Sequence, residues 1–434
     1  MLDIQYIREN AEAVAEKSKQ KGYDVDVTQL LGFDDERRQL LTQVEDLRRQ
    51  RNELSAQSKG QKPSEEQLEK GRELKEALAD LEHKLGAVED EFVALLKKVP
   101  NMPADDVPVG ETEDENQVVK TVGEPTKFDF EPKNHWEIGE ARDWIDKERA
   151  AKVTGARFAY IKGDLVQLQF AIIQFVLATL TDQQVVEKLI KENNLNLQPK
   201  AFTPILPPVM IREDTYDQMD RLEPREDRYH IEGDDDQLWL IGSAEHTLGS
   251  MYANEILPEA DLPLRYVGCS TSFSQEAGTY GKDNEGILRM HQFDKLEMET
   301  FSTAETGSDE HLLMIAIQEY LMQQLQIPYH VLMKCTADIG KPNARGVDIE
   351  AWLPGQDKYR ETHTADFMTD YQARRLKTRV KKDDGSVALI HTNDATAFAL
   401  GRAMIAIIEN FQTKDGKVVI PEVLRAYMGG RSEI

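Results

Sequence analysis

Cysteine is nearly missing from this chain: Cys269 and Cys335 are the only two in 434 residues, and no CxxC spacing occurs. That argues against a disulfide framework and against a zinc–thiolate centre. Basic residues are also in short supply, 53 Lys and Arg against 79 Asp and Glu, for a net charge of −26. Such a surface disfavours indiscriminate adhesion to nucleic acid or anionic membrane, so any RNA contact must come from a local patch. Long apolar runs are absent too. The most apolar region, Leu165 to Leu180, contains Gln167, Gln169 and Gln174 and falls short of a membrane span. The opening MLDIQYIREN carries charges where a signal peptide would have its apolar core. These absences lead to the expectation of a cytoplasmic protein with no membrane partner. The length is enough for about two to three domains with a large core.

What is present begins with leucine at heptad spacing. Residues 1–32 read as a short helical lead-in. From Asp34 to Ser58, Leu40, Val44, Leu47 and Leu54 recur in four-three spacing. KGQKPS at 59–64 interrupts them, and Leu74, Leu78, Leu81, Leu85, Val88, Phe92 and Leu95 resume the pattern between about Glu65 and Lys98. Two heptad runs around a short breaker predict an antiparallel coiled-coil arm, about 34–98. Its first helix would project on the order of 40 Å. Residues 34–98 carry 13 Lys and Arg against 16 Asp and Glu, so the arm is nearly neutral on a very acidic body. Arg48, Arg49, Arg51, Lys59 and Lys62 gather toward its tip. A solvated coiled-coil face, a dimerisation arm and an RNA-binding arm all fit that charge pattern. The expected organisation is an N-terminal domain over 1–110, a Pro-, acid- and Gly-rich linker over 111–127, and a main domain over 128–434.

In the main domain, KVTGARF at 152–158 precedes a strand-like FAYIKG and one long helix through Leu189. The rest is organised around Thr271 to Glu299, which reads as two strands joined by a long polar loop. Period-two alternation on the returning strand puts Arg289, His291, Phe293, Lys295 and Glu297 on one face. Leu288, Met290, Leu296 and Met298 fall on the other. A guanidinium that can fork onto phosphate, a ring that can stack on a base, and a carboxylate that can accept from an ammonium or hydroxyl suit a nucleotide joined to an amino acid. On pattern alone, an amphipathic hairpin with its polar face in solvent fits equally. Glu350 and Glu361 stand on two further strand-like runs, where carboxylates are more often exposed or paired than metal-bound.

FSQEAGTYGKDNEGILRMHQFDKLE, residues 273–297, resembles the motif 2 hairpin of class II aminoacyl-tRNA synthetases. In detail it is similar to that of the seryl-tRNA synthetase family, FRxEAGxxGxDxRGLxRxHQFxKxE. Ser274 and Glu285 stand where the family has arginines. AFTPILPPVMIR at 201–212 resembles motif 1, with Pro208 as the interface proline of class II dimers. LWLIGSAE at 238–245 resembles the family's TAE loop, and THTADF at 362–367 replaces VSSCSN. DYQARR at 370–375 follows, and HTNDATAFALGR…ENFQ at 391–412 resembles motif 3, HTLNGSxLAxxR…ENxQ. The resemblance runs through essentially the whole chain in order, the arm included.

That resemblance implies an α+β fold: a class II antiparallel sheet of six to eight strands flanked by helices, with an N-terminal antiparallel coiled-coil arm. It implies a homodimeric serine–tRNA ligase using Mg²⁺. Such an enzyme activates L-serine with ATP to seryl-adenylate and transfers it to the 3′ end of serine tRNA, with selenocysteine tRNA as a second acceptor in the family's manner. By the same resemblance Arg289 and Arg402 hold the terminal phosphate, and Glu361 with Thr364 holds Mg²⁺. Phe293 stacks on adenine, and Glu276 accepts from its amino group. Ser243, Glu245, Glu297 and Thr396 bind serine, and the arm with Arg48, Arg49, Arg51, Lys59 and Lys62 grips tRNA. His363 is expected to be structural or solvent-facing. Ser274, at the α-phosphate position, offers one short neutral donor in place of a forked cation. Loss of a preorganised charge there costs about 3 kcal/mol. Two other readings therefore stand beside the active ligase: a catalytically impaired tRNA-binding relative, and a ligase loading a carrier protein, which would not need the arm. In an active enzyme Lys295 or Arg345 is the expected substitute cation.

Overall fold

The computed structural model describes residues 1–57, 64–233, 236–275 and 286–434. They form two compact units, Met1–Met102 and Pro103–Ile434.

Among the described residues the first unit consists of α1 (Ile4–Glu9), α2 (Ala11–Gln20), α3 (Val27–Gln57) and α4 (Glu65–Leu96). The long first helix begins at Val27, ahead of the expected Asp34. Asp26 provides the cap, its Oδ1 accepting from Gln29 N at 2.8 Å. Asp34 is instead buried within α3, where Arg8 and Arg37 donate to it at 2.6 and 2.8 Å. A reciprocal capping box opens α4, with Gln67 N donating to Ser64 Oγ and Ser64 N to Gln67 Oε1. Heptad positions meet as their spacing predicts: Val44, Leu78 and Leu85 are buried, with Leu40, Leu47 and Leu81 packed around them. Arg37 lies over the Phe92 ring at 4.7 Å, Arg48 reaches Glu82 at 2.6 Å, and Leu54 packs beside Gly71. Each step outward along α3 thus meets a step back along α4, which makes the pair antiparallel. The 31 residues of α3 span about 46 Å.

The second unit is built on one eight-stranded sheet. Its strands are β1 (Gln117–Val122), β2 (Thr203–Ile205), β3 (Leu264–Phe273), β4 (Gln292–Ser302), β5 (Tyr329–Met333), β6 (Arg345–Leu353), β7 (Lys358–Thr369) and β8 (His391–Ala399). They lie in the order β1-β5-β6-β7-β8-β4-β3-β2. Every pairing is antiparallel except that of β2, which joins β3 in parallel at the edge. The stretch expected to be a linker, 111–127, contributes β1 to this sheet. Helices Asp164–Leu180, Gly307–Leu325 and Leu400–Asn410 bury Leu168, Ile172, Leu313, Ile317, Met404 and Ile408 in one core with Leu296, Met298, Val347 and Ile349. The helix expected to continue through Leu189 stops at Leu180, and the chain bends by 69° before Gln183–Glu192. Asp182 caps that second segment, its carboxylate accepting from Gln184 N at 2.8 Å. FAYIKG forms only the two-residue strand Tyr160–Ile161. No single described helix is long and apolar enough to cross a membrane.

Candidate active site

At the middle of the sheet, β7, β8 and β4 lie side by side and open onto a cavity of about 210 Å³. Glu361 and Thr364 reach it from β7, Thr396 from β8, Phe293 and Lys295 from β4, and Arg402 from the first turn of the following helix. Ser274 and Arg289 complete the wall at the motif 2 hairpin. Alternation on β4 behaves as the sequence predicts from Phe293 onward. Leu296 and Met298 enter the core, while Asp294 turns away and accepts from Gln169 at 2.8 Å and Thr271 at 2.7 Å. It does not extend further back. The strand begins only at Gln292, so Leu288 and Met290 line the cavity together with Arg289 rather than opposing it. His291 serves as a pin: Nδ1 donates to Ser274 O at 2.7 Å, and Ser274 N donates to His291 O at 3.0 Å. Glu276 and Glu285 of the hairpin, like Lys59 and Lys62 of the arm, lie outside the described residues.

The return of the hairpin rests on a buried pair that sequence reasoning did not find. His135 Nδ1 donates to Glu409 Oε1 at 2.9 Å, leaving Nε2 to accept from Ile287 N at 3.2 Å. Gly286, at φ +66°, passes so close that a Cβ would lie 2.0 Å from His135 Nε2. Both the backbone conformation and the contact require glycine there.

Arg402 Nη1 donates to Glu361 Oε1 at 2.7 Å and to Glu361 O at 3.1 Å. Nearby, the Thr364 hydroxyl is out of solvent and makes no well-directed hydrogen bond among the described residues. Beside these groups lies a buried polar layer. Ser243 Oγ donates to Glu297 Oε2 at 2.8 Å, Lys295 is ion-paired with Glu297, and Thr396 faces Glu297 across the strand pair. Burial lowers the Lys295 pKa, but the Glu297 charge outweighs it and the net shift is upward. Arg221 lies deeper, donating from Nε to Glu245 Oε1 at 2.8 Å and from Nη2 to Asn343 Oδ1 at 3.2 Å. Its Nη2 is also 3.7 Å from Asp394. Burial pushes the Glu245 carboxyl up, yet Arg221 overrides it and holds the group below the ordinary carboxylate range. Glu299 and Asp394 go the other way, raised by burial and by neighbouring carboxylates. Glu297 Oε1, Glu299 Oε2, Asp366 Oδ1 and Asp394 Oδ1 have no hydrogen-bond partner among the described residues. A layer this acidic attracts a small cation such as an ammonium.

Of the residues singled out in the sequence, Ser274, Arg289, Phe293, Glu361, Thr364, Thr396 and Arg402 share the cavity wall. Ser243 and Glu297 meet beside it. Glu245 sits further in, its carboxylate already engaged by Arg221 and, at 3.2 Å, by Gln372. Arg345 lies elsewhere, paired with Asp106 at 2.9 Å, so it is no substitute cation. Lys295 does line the cavity but is paired. Arg157, Arg221, Arg228 and Asp366 were not singled out for the site, because no local spacing marks them. On the arm, Arg48 pairs with Glu82 and Arg49 with Asp46, while Arg51 is exposed.

Residues 229–411 match the family model of the tRNA synthetase class II core domain (G, H, P, S and T), and residues 1–103 that of the seryl-tRNA synthetase N-terminal domain. The serine–tRNA ligase of Syntrophotalea carbinolica is 36% identical over 100% of both chains. That of Thermodesulfovibrio yellowstonii is 38% identical over 99% of both. Among solved structures, seryl-tRNA synthetase from Pyrococcus horikoshii complexed with ATP is 37% identical, with a TM-score of 0.87 over 100% of this chain and 99% of that one. The cytoplasmic serine–tRNA ligase of Naegleria fowleri in complex with AMP is 27% identical, with a TM-score of 0.84 over 100% and 98%.

Proposed function

Because this chain belongs to the seryl-tRNA synthetase family of class II aminoacyl-tRNA synthetases, we propose that it is a serine–tRNA ligase. It forms seryl-adenylate from L-serine and ATP and passes the seryl group to the 3′ end of serine tRNA. The observation that carries this reading is one continuous site: a cavity walled by Phe293, Arg289, Arg402 and Glu361 adjoins the buried Ser243–Glu297–Thr396 group.

The chemistry needs positioning and charge stabilisation more than it needs a reactive side chain. Adenine stacks on Phe293, and the exposed fork of Arg289 with that of Arg402 takes the outer phosphates. The serine ammonium is drawn to the acidic layer around Glu245, and its hydroxyl meets Glu297 and Thr396. Alanine would leave those buried groups unpaired, a difference that can reject it by about 10⁴-fold. Threonine has to be refused by crowding. So held, a serine carboxylate oxygen is aligned to attack the α-phosphorus as pyrophosphate leaves.

Mg²⁺ suits the donors on β7. Glu361 keeps one carboxylate oxygen that Arg402 does not hold, and the Thr364 hydroxyl lacks a well-directed partner. These are hard oxygen ligands few enough to leave room for phosphate and water. Bound there, Mg²⁺ would neutralise phosphate charge. Arg48, Arg49 and Arg51, with Lys59 and Lys62, contact tRNA phosphates from the arm. The homodimer forms through the Pro208 region, where Leu206 is 83% exposed. A cytoplasmic enzyme fits this chemistry.

Serine-dependent ATP–pyrophosphate exchange tests the activity. The unmodified chain is expected to exchange with serine and not with alanine. If neither it nor Ser274→Arg exchanges while serine tRNA still binds, the ligase reading gives way to a tRNA-binding relative.

A further inference from the structure

Five cations reach the cavity wall: Arg157, Arg228, Arg289, Lys295 and Arg402. Two of them are paired internally, Lys295 with Glu297 and Arg402 with Glu361. Arg228 forms no ion pair among the described residues. Its guanidinium is steered instead by a neutral group, Nε donating to Arg221 O at 3.2 Å. The Nη1 end runs past Gly242, where a Cβ would come within 3.4 Å of it, so the bare glycine leaves the fork room. Gln275 ties the same stretch to the hairpin, Nε2 donating to Arg228 O at 2.8 Å and N to Asp227 O at 3.0 Å. Arg228 therefore lies between two landmarks. On one side is Ser274 on the cavity wall, short and neutral; on the other is the Gly242–Ser243 turn, which leads to Glu297.

A molecule with its base on Phe293 and its ammonium in the acidic layer has its carboxylate and α-phosphate at that junction. From this geometry we propose that Arg228 is a catalytic residue of serine activation, an assignment that rests on the serine–tRNA ligase reading above. Its fork binds the serine carboxylate and then the α-phosphate oxygens. During that step the carboxylate oxygen forms its bond to phosphorus, the bond to the bridging oxygen breaks, and pyrophosphate departs with the electron pair. A guanidinium is suited to this because two parallel N–H donors can span two oxygens, which an ammonium or a serine hydroxyl cannot do.

The test compares the unmodified chain with Arg228→Gln, Arg228→Lys and Arg228→Gln/Ser274→Arg. Serine-dependent exchange is measured together with the affinity for adenosine, which carries no phosphate. Arg228→Gln is expected to lower kcat/KM for exchange by about 100-fold, with adenosine affinity changed by less than about threefold. Lysine at 228 should recover only part of the loss, and arginine at 274 should restore at least about tenfold to the glutamine variant. Exchange by Arg228→Gln within about threefold of the unmodified chain overturns the assignment. So does a loss of adenosine affinity as large as the loss of exchange, without rescue from position 274. Absence of serine-dependent exchange in both the unmodified chain and Ser274→Arg is the separate failure of the ligase reading, and it is visible before any variant at position 228 is made.

Discussion

His363 stands on β7 between Thr362 and Thr364, which both line the cavity, yet its own ring is fully buried against Phe398 with centroids 4.7 Å apart. Of the two roles expected for it, structural and solvent-facing, burial leaves the structural one. Burial also lowers its pKa from 6.5 to about 3. Between those values the unfolded chain binds a proton that the native chain does not, so the contribution of His363 to stability is present above about pH 6.5 and is lost as pH falls. Other buried groups titrate in the same range, which makes the difference between two proteins the useful quantity. His363→Asn should destabilise the chain less at pH 5 than at pH 7.5, the gap narrowing by about 2 kcal/mol in urea denaturation. An unchanged gap would mean that the imidazole is already charged in the native state. Residue-scale legibility follows the same division. Phe293, Lys295 and Glu297 could be read from the sequence because a strand fixes their common face locally. Arg228 and His135 could not, since the contacts that give them meaning span 47 and 152 residues.

Two helices of 31 and 32 residues in the first unit repeat their leucines every three to four positions, and that local repeat is why the arm could be read whole. Its beginning could not. The sequence reading starts the run at Asp34, but Arg8 and Arg37 pack onto that carboxylate inside the helix and Asp26 caps it. The break at Thr181 was hidden for a related reason, because the apolar pattern continues across it while Asp182 captures the next N–H. Charge on the arm bears on function at this scale. Arg48 and Arg49 already have acidic neighbours, which weakens them as phosphate ligands, whereas Arg51 is exposed and has no ion pair among the described residues. Replacing Arg51 by Gln should therefore raise KM for serine tRNA at least as much as replacing Arg49. It should also make the log–log salt dependence of tRNA binding shallower by about one. Filter binding between low and moderate salt would check this; an unaltered slope would remove Arg51 from the tRNA contact.

The acidic character of the entire chain and the geometry of its sheet meet at one edge. β2 is only three residues long and leaves its outer side unpaired among the described residues, in the place where sheets invite another chain. Immediately after it Leu206 is 83% exposed, with Met210 at 45%. In the sequence, Pro208 is an interface proline only by resemblance to motif 1. The exposure of Leu206, a tertiary fact, is what favours the interface. Burying one leucine stabilises association by roughly 1.5–3 kcal/mol. In a two-fold symmetric dimer the same residue counts twice, so Leu206→Asp should weaken the dimer by at least about 3 kcal/mol, more than 100-fold in Kd. The net charge of −26 opposes association through repulsion that salt screens, so the unmodified dimer should tighten as ionic strength rises. Sedimentation velocity of both proteins at low and high salt separates the two effects. The expected pattern is a salt-strengthened dimer for the unmodified chain and a monomer for the variant at the same concentration. If the unmodified chain sediments as a monomer at every salt concentration, the exposed leucine is not a dimer contact. If Leu206→Asp remains a dimer, the subunits meet through some other face.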